Sequence, residues 1–118
     1  MNAEEMKQRT RAFALRVIRV VEALPKSRAA DVIGGQLLRS GTSVGANYRA
    51  ACRAKSRADF ISKMGTVEEE AEESIYWMEM LLFAGLLKKA RLADLLNEAS
   101  QLVAIAVSSI NTAKKHRS

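Results

Sequence analysis

The segment Ser74–Leu87, SIYWMEMLLFAGLL, is apolar on nearly every side of a helix, and a chain of 118 residues has little material with which to enclose it. Phe60, Met64, Val67, Ala71, Ile75, Met78 and Leu82 recur at spacings of three or four and form one seam that packs inward. Tyr76, Trp77, Met80, Leu81, Phe83 and Leu87 fall on the remaining faces, which are normally charged in soluble monomers. Other copies of the chain are the readiest cover, so these six residues are the predicted oligomer interface. The alternative is a monomer whose other helices wrap this one. Against it stands the geometry of a four-helix bundle, which leaves every member some outer face.

The length suits one domain, residues 1–118, with one sizeable core. Pro25 is the only proline, six glycines occur, and 48% of the residues are apolar, which excludes disordered and fibrous classes. No basic start leads into an unbroken apolar run. The longest apolar stretches, interrupted by Glu79 or by serines, fall short of the roughly eighteen residues of a membrane span. A soluble, cytoplasmic protein without a membrane partner is expected. Cys52 is the only cysteine, so no disulfide forms within the chain, and it is predicted to be a small packing residue. His116 is the only histidine and lies in the basic tail Lys114-Lys115-His116-Arg117, a poor setting for catalysis.

Four helical patterns follow along the chain. The first runs from about Ala3 to Leu24 with Met6, Phe13, Val17, Val20, Val21 and Leu24 inward, and Pro25 ends it. Ser27 caps the second, whose inward seam is Ile33, Leu37, Ser40/Gly41, Val44, Tyr48 and Ala51. Gly34, Gly35, Gly41 and Gly45 each weaken that helix by roughly 1 kcal/mol relative to alanine. They call for close approach of a neighbouring helix, or else mark a kink. Ser56-Arg57-Ala58-Asp59 fits a capping box opening the third helix, and Gly85 suits a left-handed C-cap that folds Leu86-Leu87 over its end. The fourth runs from about Lys89 to Lys114 with Leu92, Leu95, Leu96, Ala99, Leu102, Val103, Ala106 and Ile110 inward. Four helices with three short connections predict an all-α, antiparallel up-and-down four-helix bundle.

The net charge of +6 is unevenly spread. Residues 1–58 carry +8, residues 59–87 carry −6, and residues 88–118 carry +4. The surplus favours polyanions. At about 100° per residue, Arg39, Arg49, Arg53 and Arg57 share one stripe of roughly 80° on the second helix, Arg57 only if the helix continues past Ser56. Arg9, Arg16 and Arg19 form a second strip beside the apolar side of the first helix. Rows of arginine forks can follow a phosphate backbone without reading bases, so these seven are the candidate contacts to RNA or DNA. Equally open are a solvated helix face and ion pairs to the third-helix glutamates. Glu68, Glu72 and Glu79 lie near one edge of the helix seam, but no histidine accompanies them, and ion pairing is the expectation rather than a metal. No phosphate loop, nucleophile–base pair or cofactor motif is present in the sequence, so no enzyme activity and no cofactor are expected.

The run Thr42-Ser43-Val44-Gly45-Ala46-Asn47-Tyr48, followed by Lys55-Ser56-Arg57-Ala58-Asp59-Phe60, resembles the small four-helix proteins named for intervening sequences of bacterial 23S ribosomal RNA. Pro25-Lys26, Glu72-Glu73 and Gly85-Leu86-Leu87 look like matching features, and nearly the whole chain fits the layout. The resemblance implies a ring-like homopentamer, in agreement with the surplus apolar face of the third helix. The similar accessory proteins of diversity-generating retroelements bind nucleic acid and a reverse transcriptase. Asn47 matches the family and is predicted to hydrogen-bond at a helix packing or subunit interface. An Ala-Glu-Gly triplet is commonest in the family where Arg49-Ala50-Ala51 stand here, so any role of that acid does not carry over to Ala50. The expectation is a non-enzymatic nucleic-acid-binding accessory protein. The alternative is an oligomeric scaffold for an acidic protein partner.

Overall fold

The computed structural model describes residues 1–116; Arg117 of the basic tail lies outside them. Helices α1 (Ala3–Glu22), α2 (Arg28–Cys52), α3 (Arg57–Phe83) and α4 (Lys89–Lys115) run up, down, up and down in a rod of 53 × 21 × 21 Å. No strand occurs among the described residues. The predicted architecture is the one observed.

Local chemistry sets the ends. Asn2 opens α1 with a reciprocal box that sequence reading did not anticipate: the Glu5 N–H donates to Asn2 Oδ1 at 2.8 Å, and the Asn2 N–H reaches Glu5 Oε1 at 3.5 Å. Ser27 accepts the Ala30 N–H at 3.1 Å. At α3 the predicted box is half formed. Ser56 Oγ accepts the Asp59 N–H at 3.0 Å, but Asp59 Oδ2 accepts from the Lys55 N–H at 3.1 Å rather than from Ser56. The hydrogen bond from Lys63, then the Lys55 N–H, holds the Asp59 carboxyl below the usual carboxylate range. Gly85, at φ 72°, ends α3 as predicted: the Leu86 N–H donates to the Leu81 carbonyl and the Gly85 N–H to that of Leu82, a complete Schellman motif.

The core is one continuous cluster. Met6, Phe13 and Val17 from α1 meet Leu37, Val44 and Ala51 from α2, Met64, Val67, Met78 and Leu81 from α3, and Leu92, Leu95 and Leu102 from α4. Phe60, Ile75, Leu82, Leu96, Val103 and Ile110, predicted inward, lie half-buried against it. Leu81 corrects the predicted interface: it is completely buried. Its stripe on α3, with Ser74 and Val67, is fully buried and meets α2 at Ser40, so it belongs to the core and not to a subunit contact. Ser74 Oγ satisfies its hydroxyl on the Glu70 carbonyl and Ser40 Oγ, at 2.9 and 3.0 Å.

Helix α2 runs unbroken through its glycines. A Cβ on Gly41 would come within 2.8 Å of both Val17 methyls, and one on Gly45 within 3.1 Å of Thr10 Oγ1, so α1 and α2 are in close approach there. Gly35 corrects the expectation for all four, because it faces open space. Cys52, predicted to pack, is exposed in the last turn of α2. Its thiol sits beside Tyr48, whose phenol is pushed up to about 12 by burial first and by Cys52 second.

Candidate nucleic-acid interface

Two of the seven candidate arginines are already engaged. Arg39 donates to Glu70 Oε2 at 3.1 Å and to Glu73 across the α2–α3 groove, and its Nε contacts Gln36 at 3.2 Å. Of the readings left open for the stripe, Arg39 follows the ion pair. Arg9 grips Glu98 of α4 with Nε at 2.7 Å and Nη2 at 2.9 Å, and Nη2 also reaches Gln101 at 2.6 Å. The hydrogen bond to Glu98 holds the Arg9 guanidinium above its ordinary pKa, although partial burial opposes it. Arg9 is a clamp between α1 and α4, the pair of neighbouring helices with the thinnest packing.

That clamp gives a prediction. The Glu98 side chain is only 17% exposed, so Arg9→Ala leaves a partly desolvated carboxylate without its guanidinium and is expected to cost about 1–2 kcal/mol. Thermal unfolding checks the value. Nucleic-acid affinity should change far less than stability, since the guanidinium is turned toward α4.

The predicted stripe of four breaks at the end of α2. The helix stops at Cys52, Arg53 is its C-cap, and Arg57 is the first residue of α3, so Arg57 does not continue a helical row from Arg49. Arg16 and Arg19 line a cleft of about 220 Å³ between α1 and α4, together with Arg91 and Asp94. Arg49 instead belongs to a groove of about 290 Å³ between α1 and α2, where it is joined by Lys7 and Arg11. Thr10, Thr42 and Gly45 also line this groove, and the Gly45–Thr10 approach brings the two helices, and hence the three cations, together. Among the described residues, the cations in ion pairs are Arg9, Arg39 and Lys63, so Lys7, Arg11 and Arg49 have no carboxylate partner within 4 Å. Arg11 and Arg49 are exposed and Lys7 is half-buried.

Sequence reading missed Lys7 and Arg11. The available signal was their four-residue spacing around Thr10, a polar residue on an otherwise apolar seam, facing the small residues of α2. Among the described residues no group of three or more His, Cys, Asp or Glu is arranged to hold a metal ion. No helix is long and apolar enough to cross a membrane.

The predicted interface residues separate into two sets. Tyr76 is 52% exposed and Phe83 78% exposed, one above the other on the outer side of α3, with Met80 half-buried between them. Trp77 is half-buried: its Nε1–H donates to Glu73 at 3.2 Å, and its ring meets Tyr76 edge-on at 4.9 Å. Leu87 packs against the core. Asn47 is half-buried and its Nδ2 donates to the Ser43 carbonyl of its own helix at 2.8 Å.

Fold and surface together define a small α-helical bundle with a cationic groove on its first helical hairpin. The chain belongs to the family of 23S rRNA-intervening sequence proteins, whose family model matches residues 3–108. It is similar to a crystal structure of a protein of unknown function from the S23 ribosomal protein family of Bacteroides thetaiotaomicron. The two are 33% identical with a TM-score of 0.86, over 94% of this chain and 99% of that one. No curated protein matches the sequence.

Proposed function

We propose that this protein is a non-enzymatic accessory protein that binds nucleic acid through its phosphates and works as a ring-like homo-oligomer, a pentamer by its resemblance to its family. The observation that carries the binding half is the α1–α2 groove, where Lys7, Arg11 and Arg49 converge without carboxylate partners on a chain of net charge +6. The family description, which refers to intervening sequences of 23S rRNA, is in keeping with it. Repetition of the groove around a ring would raise avidity without new contacts.

Fluorescence anisotropy with labelled structured RNA and duplex DNA at low and physiological salt tests the reading. Binding should weaken linearly on a log–log plot against salt. Absence of binding at low salt would turn the basic surface toward an acidic protein partner and overturn the proposal.

The assembly half rests on Tyr76 and Phe83, large apolar side chains on the outer face of α3 that also carries Glu69, Glu72 and Glu79. Light scattering should give a multiple of the 13.0 kDa chain mass, and the double variant Tyr76→Glu/Phe83→Glu should drop to that mass while staying helical. A wild-type mass equal to one chain would sink this half.

A further inference from the structure

The surface separates two features that proteins gripping unpaired nucleic acid combine. Sequence-tolerant binding of single strands sets cations along the backbone and aromatic faces beside them, on which the bases stack. Here the six aromatic residues are Phe13, Tyr48, Phe60, Tyr76, Trp77 and Phe83. Phe13 is fully buried, and Tyr48 and Phe60 pack against the core. The strongly exposed pair, Tyr76 and Phe83, stands on α3 among glutamates, which repel phosphate. Among the described residues, no aromatic side chain lines the Lys7–Arg11–Arg49 groove. Cations and stacking faces therefore lie on different helices.

A base swung out from a single strand finds no platform beside these cations. A duplex needs none: its bases are already stacked, and it turns its phosphates outward. It also has the denser charge, one per about 1.7 Å of axis. The cations sit on two packed helices whose spacing is fixed where Gly45 meets Thr10. Lys7 and Arg11 lie one turn apart on α1, and Arg49 faces them from the last turn of α2. Lys7 and Arg11 are offset by about 6 Å along the helix axis, nearly two base-pair steps of a strand. All three cations are held on regular helix, which suits a stiff, regular polyanion.

We infer that the α1–α2 groove is a duplex-backbone site, contacting the sugar–phosphate surface of base-paired nucleic acid and not unpaired bases. This rests on the nucleic-acid reading above and narrows it.

The test compares three labelled probes of equal phosphate number, a duplex RNA, the matching duplex DNA and an unstructured polyuridine, by anisotropy on the full chain at several salt concentrations. At least one duplex should bind about tenfold or more tightly than polyuridine at the same salt, and the two duplex arms show which backbone form is preferred. Lys7→Gln, Arg11→Gln and Arg49→Gln should each lower duplex affinity and reduce the salt slope by about one. Arg11 and Arg49 are exposed and Lys7 is half-buried, and circular dichroism checks that each variant keeps its helices. Polyuridine binding as tight as duplex overturns this inference while leaving nucleic-acid binding standing. Duplex binding with slopes unchanged in the three variants removes the groove as its site. No binding of any probe overturns both readings.

Discussion

Leu81→Ala is expected to destabilise the protein by about 3 kcal/mol, lowering the midpoint of thermal unfolding by roughly 10 °C for a domain of this size. The side chain is fully buried in the core cluster, and truncation leaves a cavity that rigid helices cannot fill. Phe83→Ala, two residues away, removes a larger side chain that is 78% exposed, and should shift the stability of an isolated chain by less than about 0.5 kcal/mol. Denaturant unfolding at low protein concentration measures both. If Phe83→Ala costs as much as Leu81→Ala there, the inside of α3 has been misplaced. Stability that falls for Phe83→Ala only at high concentration would instead report lost contacts between chains.

Gly41→Val should cost about 3 kcal/mol, because its Cβ alone would sit 2.8 Å from both Val17 methyls, and Val17 is β-branched, buried and unable to turn away. Gly35→Ala is predicted to act in the opposite direction, stabilising by about 0.5–1 kcal/mol, because the added methyl meets nothing and a freely rotating backbone position is removed from the unfolded chain. Two glycines six residues apart on one helix thus carry opposite expectations. Thermal unfolding of the two variants side by side settles the signs.

Much of the fold is legible in the sequence because helices announce themselves locally. Spacings of three and four mark the seams, while Pro25, Ser27, Ser56 and Gly85 punctuate them, and the structure places boundaries within two or three residues of those signals. Leu81 was misread for a definable reason. Helix α3 packs on both α2 and α4, so its buried arc is wider than one seam, and the line drawn through Ile75 and Leu82 lies to one side of its centre at Ser74, Met78 and Leu81. Cys52 differs for another reason: it is the last residue of α2, beside the buried Ala51 but one turn beyond the half-buried Tyr48, and its side chain is exposed. The candidate site was less legible because a cation's availability depends on which helix lies opposite. Arg39 meets Glu70 and Glu73, thirty-one and thirty-four residues away, and Arg9 meets Glu98, eighty-nine residues away. No local pattern encodes those partners. Lys7 and Arg11 stay available because α2 offers them glycine, alanine and threonine at the groove and no acid.

The thin seam between α1 and α4 also shapes how the chain reaches its native state. Every extensively packed pair of helices is consecutive in sequence, so most native contacts form by closing short loops, the low contact order that lets helical bundles fold within microseconds to milliseconds. The first and last helices meet only across the full length of the chain. Their closure, sealed by Arg9 on Glu98, gains least from packing and bears the largest loop entropy, so α1 and α4 part at lower free energy than the α2–α3 hairpin, and amide hydrogens along that seam exchange with solvent before those between α2 and α3.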